Sequence, residues 1–184
     1  MDRRDFLKAA AAISLAATVT LPAVTIARAD DFWSLPRELW LRHSDTHEAV
    51  KTIYWENGNY NEDGYKKLSM LLRDYHENSA VWMDVKLLDT LRGIYGWLNR
   101  MGYNEPLVVN SGFRTEKTNN KLKKEGSAKN SMHLYGKAAD IWVPGLNTKT
   151  LAGMLFYFKT GGVGLYKGKQ FVHADTGRIR QWAG

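Results

Sequence analysis

The sequence contains no cysteine, and this absence excludes several kinds of chemistry. A chain without thiols has no disulfides, no cysteine nucleophile and no iron–sulfur cluster. Any metal ion must therefore be bound by His, Asp or Glu. The fold must be held together by its apolar core, and 184 residues with 44% hydrophobic and 12% aromatic content are sufficient for one.

The sequence also lacks an apolar run of the about 20 residues that a membrane-spanning helix needs. Its longest apolar run extends from Ala9 to about Val24, directly after the pair Arg3-Arg4. The small residues of Ala27-Arg28-Ala29 are typical of a signal cleavage site. We expect residues 1–29 to be a twin-arginine signal peptide and residues 30–184 to be a domain exported to the periplasm.

The chain carries a formal net charge of +7. A basic exported protein can meet anionic polymers of the cell wall, lipid head groups or nucleic acid. A modest excess of this size is also common on solvated surfaces, so charge alone selects none of these partners.

No repeat, low-complexity tract or linker divides the sequence, which favours one domain. Residues 38–43 and 48–55 are predicted to form a β-hairpin, and two amphipathic helices follow, the second capped by Asp84. Further strands are predicted at residues 107–109, 138–143, 162–166 and 171–175, with a helix from Asn147 or Thr148 to Phe158. Because helices and strands do not alternate regularly, we expect an α+β domain with a small, mostly antiparallel sheet flanked by helices.

Three residues of the second half of the chain form a candidate metal site. His133 precedes a predicted strand, Asp140 lies on that strand, and His173 lies on another strand. Two imidazoles and one carboxylate are suitable ligands for a zinc ion that keeps an open position for water. Such a zinc ion makes its bound water a usable nucleophile near neutral pH. This donor set therefore predicts a hydrolase.

Asp175 follows His173 by two residues, so both side chains should point to the same face of their strand. Asp175 has three possible roles: a general base, a partner that orients a histidine, or an additional ligand. The sequence does not separate them. His43, His47 and His76 receive no role, and the tryptophans, Trp182 among them, are expected mostly to pack in the core.

The spacing of Ser131, His133, Gly136, Ala138 and Asp140 resembles the zinc signature of the D-alanyl-D-alanine peptidase family. That family also includes vancomycin-resistance dipeptidases, phage endolysins and murein endopeptidases. The resemblance covers essentially the whole chain after residue 29, and it implies the hedgehog-like fold of those enzymes.

The resemblance also implies the roles of individual residues. His133, Asp140 and His173 would bind Zn²⁺, and Arg114, within Ser-Gly-Phe-Arg, would hold the substrate and stabilise the oxyanion. Ser131 would contribute to substrate binding. Many members of the wider family carry a glutamate as general base three residues before the last zinc ligand. Here that position is Gln170, which leaves Asp175 as the candidate base.

The function implied is hydrolysis of the peptide cross-links of peptidoglycan, with bonds between two diaminopimelate residues as the expected substrate. Two alternatives from other classes stay open at this point. One is a catalytically silent wall-binding module that retains zinc for stability, an alternative that the departure at Gln170 keeps open. The other is a metal-dependent phosphoesterase, because a basic surface beside a His/Asp site also suits a phosphate substrate.

Overall fold

The computed structural model describes residues 29–125 and 128–184. The predicted twin-arginine segment therefore lies outside the described residues, apart from Ala29. The chain divides into two units, Met1–Phe32 and Trp33–Gly184. The first described helix is α1 (Ala29–Ser34). The fold below is that of the second unit. Among the described residues, none of the helices is long and apolar enough to cross a membrane.

An eight-stranded mixed sheet forms the centre of the fold, with strand order β3-β2-β1-β4-β5-β7-β6-β8. The pairs β1–β4 and β6–β8 are parallel and the other five pairs are antiparallel. The strands are β1 (Arg37–His43), β2 (Ala49–Glu56), β3 (Asn59–Tyr60), β4 (Leu107–Ser111), β5 (Ala138–Trp142), β6 (Gly162–Tyr166), β7 (Phe171–Asp175) and β8 (Arg180–Ala183). The predicted α+β class is confirmed, and the sheet is larger than expected because β3 and β8 add strands of two and four residues.

Four helices follow α1, and each has a side-chain cap at its N-terminus. The caps are Asn61, Asp84, Thr115 and Asn147, whose side chains accept backbone N–H groups that the first turn leaves without helical partners. The helices are α2 (Glu62–Leu71), α3 (Val85–Arg100), α4 (Glu116–Lys121) and α5 (Thr148–Tyr157), with 3₁₀ turns at Leu122–Glu125, Met132–Tyr135 and Lys167–Lys169.

The apolar spacing of the sequence predicts that the first amphipathic helix continues to Tyr75. Helix α2 ends before that residue. The chain instead turns at Asp74, whose backbone pairs with that of Ser79. The Asp74 carboxylate accepts the backbone N–H groups of His76 and Glu77 at 3.1 and 3.4 Å. These local hydrogen bonds offer the backbone an alternative to another helical turn.

One face of the sheet carries the apolar core, which includes Leu68 of α2, Leu91 of α3 and Leu151 of α5. In β5 and β7 the core residues alternate with polar ones: Ala139 and Ile141 in β5, and Val172 and Ala174 in β7, lie in the core. Since side chains alternate between the faces of a strand, Asp140, His173 and Asp175 lie on the opposite face. The fold therefore separates the residues that stabilise it from the candidate site.

Candidate metal centre

The backbone around His133 is fixed by its neighbours on both sides. Ser131 caps the 3₁₀ turn Met132–Tyr135 and accepts the His133 N–H at 3.4 Å. Gly136 ends the turn with φ 64°, a conformation that suits glycine. The Nδ1 atom of His133 lies 2.6 Å from the carbonyl oxygen of Gly112. A carbonyl only accepts hydrogen bonds, so Nδ1 carries the proton and Nε2 keeps a lone pair.

His173 and Asp140 face each other as partners in the antiparallel pair β5–β7. His173 Nδ1 lies 2.9 Å from Asp140 Oδ1 and 3.1 Å from His133 Nε2, and His133 Nε2 lies 3.2 Å from Asp140 Oδ1. His173 Nε2 lies 2.9 Å from Asp175 Oδ2. With a proton on Nε2 for that hydrogen bond, His173 also directs a lone pair from Nδ1 toward the other two groups.

The donor set fits a single zinc ion. Atoms bound about 2.0–2.1 Å from a tetrahedral zinc are about 3.3 Å apart, close to the separations found here. Two nitrogen lone pairs and a carboxylate oxygen that converge at these distances form an arrangement that a bound cation stabilises. Within the described part of the chain, these three residues are also the one group of three or more His, Asp or Glu whose ligand atoms converge, all within 4.8 Å.

The electrostatics of His133 and Asp140 agree with this arrangement. Burial lowers the pKa of His133 and favours the neutral, ligating form. Burial alone would raise the pKa of Asp140, but the interactions with His133 and His173 hold it well below its usual range, so the carboxylate stays ionised. Burial alone would lower the pKa of His173, but its hydrogen bonds with Asp140 and Asp175 raise the pKa above the ordinary value, so a bound cation would have to displace the proton from Nδ1.

Asp175 lies on the far side of the His173 ring from Asp140. Its carboxylate accepts two hydrogen bonds from Arg180, at 2.7 and 3.1 Å, and the backbone N–H groups of Gly162 and Gly177 at 3.0 and 2.8 Å. The side chain is fully buried. Burial alone would raise its pKa, but these hydrogen bonds and the one with His173 hold the pKa far below the ordinary value. This placement favours Asp175 as a residue that orients His173, rather than as a general base or as a further metal ligand.

The Ser-Gly-Phe-Arg motif connects β4 to the metal centre. Arg114 donates from Nη2 to Asp140 Oδ2 and from Nε to Ser111 Oγ, the latter at 2.7 Å. Gly112 supplies the carbonyl for His133, and a Cβ at this position would lie 2.3 Å from the carbonyl oxygen of Leu72. Each polar residue of the motif therefore supports a residue of the site.

The three candidate ligands open onto a groove of about 510 Å³. Arg114 and Ser131 line it, and Tyr166, Phe171 and Trp182 form an aromatic wall on one side. His43 and His76, for which no role is predicted, also line the groove. Arg180 is a site residue that was not predicted, and its alternation with Trp182 near the end of the chain is the only sequence signal for it.

A family model described as Peptidase_M15_2, peptidoglycan L,D-endopeptidase MepK, matches residues 33–182. The chain belongs to this family. It is 34% identical over 149 residues to the peptidoglycan L,D-endopeptidase MepK of Escherichia coli (strain K12), and the alignment covers 80% of each chain. It is 32% identical over 151 residues to the probable peptidoglycan L,D-endopeptidase MepK of Haemophilus influenzae, across 81% of this chain and 80% of that relative.

Membership of Peptidase_M15_2 confirms the predicted resemblance to murein endopeptidases. The family match spans every candidate residue from Arg114 to Asp175. Gln170, at the position of the glutamate base in the wider family, ends the 3₁₀ turn Lys167–Lys169 with φ 54° and is absent from the residues that line the described groove.

Proposed function

We propose that this protein is a zinc metallopeptidase that hydrolyses the peptide cross-links of the bacterial cell wall. The observation that carries the proposal is the convergence of His133 Nε2, His173 Nδ1 and Asp140 Oδ1 at the groove. Membership of a family of peptidoglycan endopeptidases supports the substrate class. Residues 30–184 form the proposed zinc peptidase domain, and residues 1–29 the proposed twin-arginine signal that exports it to the periplasm.

The choice of zinc is supported by the donor set of two imidazoles and one carboxylate. Zinc held by His133, Asp140 and His173 would polarise the scissile carbonyl and lower the pKa of a bound water. The hydrogen bonds from His133 to Gly112 and from His173 to Asp175 keep both ligands in the tautomer that can bind it.

Arg114 is the proposed clamp for substrate and oxyanion. A guanidinium has five N–H donors, and the described hydrogen bonds to Asp140 and Ser111 use Nη2 and Nε. Donors on Nη1 are left for a substrate carboxylate or for the charge that develops on the carbonyl oxygen. Ser131 lines the same groove, where its O–H can donate to the substrate. Asp175 is proposed to orient His173, in place of the role of general base.

The bond between two diaminopimelate residues is the proposed substrate. In such a cross-link the carbonyl belongs to an L-centre and the amine to a D-centre. In the bond from D-alanine to diaminopimelate both centres are D. The relatives named as L,D-endopeptidases support the first kind of bond.

Purified cross-linked muropeptide dimers test the proposal. The zinc-loaded protein should convert dimers linked between diaminopimelates to monomers, as measured by chromatography and mass. His133→Ala should abolish this turnover, whereas His47→Ala, in the exposed hairpin turn outside the groove, should not change it.

Other outcomes of the same assay would replace the proposal. Binding of the dimers without turnover would identify a silent wall-binding module. Turnover of phosphodiesters alone would identify a phosphoesterase. Release of monomers only from dimers linked through D-alanine would show that the proposed bond is wrong. The protein would still be a peptidase of the same class.

A further inference from the structure

Arg180 of β8 forms an ion pair with the buried Asp175 carboxylate. Its two terminal nitrogens lie 2.7 and 3.1 Å from the two oxygens of Asp175, which is the paired geometry that a guanidinium fork provides. The Arg180 side chain is 31% exposed and that of Asp175 is fully buried. A hydrogen-bonded connection therefore extends from Arg180 through Asp175 to His173 Nε2.

Two glycines of the Gly161-Gly162-Val163-Gly164 segment provide the space for this ion pair. A Cβ at Gly162 would lie 2.4 Å from Arg180 Nη1 and 2.7 Å from Asp175 Oδ2. A Cβ at Gly161 would lie 1.9 Å from the Asp175 carbonyl oxygen. Distances this short are incompatible with any side chain unless the ion pair or the strand moves. The glycine-rich segment therefore leaves the space in which Arg180 and Asp175 make their contact.

We propose that Arg180 is a positioning residue that fixes the orientation of the metal ligand His173 through Asp175. Asp175 can hold the His173 ring only if its own carboxylate plane is fixed, and two parallel hydrogen bonds from a rigid guanidinium fix that plane. The inference rests on the proposed metal centre and assigns to Arg180 a part in its affinity. Partners of this kind typically contribute about 10–100-fold to metal affinity.

Zinc affinity, measured without substrate by competition with a chelator, tests the proposal. Arg180→Ala should weaken zinc binding about 10–100-fold and change the visible absorption of the cobalt-substituted protein, which reports ligand geometry. Arg180→Lys should restore part of the affinity, since one ammonium group cannot bind both oxygens as a fork. Arg178→Ala, which removes an exposed arginine from the same turn, is the matched control and should bind zinc as the wild type does.

Unchanged zinc affinity and an unchanged cobalt spectrum in Arg180→Ala would overturn the proposal, even with a lower Tm, because the ion pair would then only stabilise β8. If Arg180→Ala fails to fold, Arg180→Lys tests the proposal instead. Zinc affinity and a cobalt spectrum equal to those of the wild type in Arg180→Lys would contradict a positioning role for Arg180. Because no substrate is present, a protein that binds zinc but cleaves no muropeptide would overturn the proposed function and leave this inference intact.

A second observation concerns Trp182, which is half-buried, lines the groove and has its ring 5.3 Å from that of His173. In the sheet, Asp140 pairs with His173, His173 with Gly164, and Gly164 with Trp182. The indole lies against the backbone of Gly164, where a Cβ would come within 2.5 Å of Cε2 and Cζ2. Its Nε1–H donates to the hydroxyl of Tyr166 at 3.2 Å, which fixes the ring.

This row of paired residues has a guanidinium on one side of the metal centre and an indole on the other. Ser111, which binds Arg114, pairs with Asp140 on one side, and Trp182 lies two strands beyond His173 on the other. A substrate that crosses the centre along this row contacts the guanidinium at one end and the indole at the other. The Arg180 guanidinium lies over the Trp182 ring, 4.8 Å from its centroid, and its charge is paired with that of Asp175. This wall therefore presents aromatic carbon next to a paired charge.

We infer that the Trp182 indole contacts the polymethylene chain of the diaminopimelate on the amine side of the scissile bond. This inference rests on the proposed function and makes Trp182 a specificity-determining residue. The area of a short methylene chain removed from water by an aromatic ring is sufficient for about tenfold discrimination between substrates.

Two substrates with the same L,D bond test this inference, one with diaminopimelate and one with D-alanine on the amine side. The wild type should prefer diaminopimelate by about tenfold or more in kcat/KM, mainly through KM. Trp182→Ala should lose most of this preference and Trp182→Phe only part of it. Zinc affinity is measured for both variants, because the Trp182 ring lies 5.3 Å from the His173 ring and 4.8 Å from the Arg180 guanidinium.

An unchanged preference in Trp182→Ala, or a loss that zinc affinity accounts for, would overturn the inference. A wild type that cleaves neither substrate would overturn the proposed function instead.

Discussion

At the scale of single residues, the two nitrogens of each candidate histidine ligand are distinguished by their partners. His133 binds the Gly112 carbonyl through Nδ1 and presents Nε2, whereas His173 binds Asp175 through Nε2 and presents Nδ1. A neutral imidazole has one donor and one acceptor, so a fixed partner for the donor directs the acceptor to the metal. The site is therefore preorganised by residues that do not touch the ion.

Arg114 contacts the candidate ligand Asp140 and is proposed to bind the substrate as well. We expect Arg114→Ala to lower kcat by about 10²–10³, because a preorganised donor to the oxyanion is lost. The measurement is kcat at saturating zinc, with zinc affinity determined separately, because the contact with Asp140 also orients that ligand. Full recovery of kcat at high zinc would show that Arg114 acts on the metal and makes no contribution to the transition state.

Asp74 gives a pH-dependent contribution to stability outside the metal centre. Burial alone would raise its pKa, but hydrogen bonds from Thr115, Thr118 and Glu77 hold the pKa below the ordinary value. A depressed pKa stabilises the fold above the unfolded-state pKa of about 3.9, and this stabilisation is lost as the pH falls through the lower folded-state pKa. Asp74→Asn should therefore destabilise the protein near neutral pH, with a difference that shrinks below about pH 4.

Urea unfolding of the zinc-free protein between about pH 2 and 7 measures this difference. Asp63→Asn is the control, since Asp63 is exposed and pairs only with Lys67 in its own helix. We expect its effect to be small throughout the range. A destabilisation by Asp74→Asn that stays constant across the range would refute the assignment.

At the scale of elements, close backbone contacts position the metal-binding loops. The segment that follows β4 contacts the end of α2, with the Phe113 N–H donating to the Leu72 carbonyl at 2.7 Å. Gly112 allows this approach, because its hypothetical Cβ would lie 2.3 Å from that carbonyl oxygen and 2.8 Å from the Leu72 Cβ. Both contacts involve groups that cannot rotate away.

Gly112→Ala should consequently destabilise the protein by about 2 kcal/mol or more, a typical result of overpacking against backbone. For a chain of this size that corresponds to a fall in Tm of roughly 4–8 °C, measured by thermal unfolding. Gly168→Ala is the matched control, since nothing lies within 4 Å of its hypothetical Cβ. Equal Tm values for the two variants would contradict the close approach at Gly112.

The elements that the sequence predicts correctly are those with a local signal. The caps Asp84 and Asn147 and the strands of residues 162–166 and 171–175 are examples. Strand β8 has four residues, and its pairing with β6 is non-local and parallel, so periodicity does not reveal it. Arg180 lies on this unpredicted strand, and its contact with Asp175, five residues earlier, depends on the turn between β7 and β8, which periodicity does not specify.

The candidate ligands are predictable from residue type and spacing, but the arrangement around them is not. Period-two alternation correctly places His173 and Asp175 on one face of β7. It does not specify which ring nitrogen of His173 faces Asp140. That choice determines whether the Asp175 carboxylate lies beside the groove or on the opposite side of the His173 ring.

At the scale of the whole molecule, one face of the sheet carries the apolar core and the opposite face carries the candidate metal ligands. The apolar core and the metal centre share strands β5 and β7 but use alternate residues of them. Substitutions on the groove face can therefore change metal affinity or specificity with little effect on the core. In a domain of this design, the fold itself holds the candidate metal ligands in position.

Export in the folded state is the expectation that connects this design to the N-terminal segment. Replacing Arg3 and Arg4 together with lysine keeps the charge of the segment but removes the paired guanidinium groups. We expect the variant to accumulate in the cytoplasm, as measured by cell fractionation. The wild type should appear in the periplasm with the mass of a chain that begins near Asp30. Arg28→Lys, outside the pair, is the control and should be exported normally. Equal export of all three proteins would show that the twin arginines do not direct this protein across the membrane.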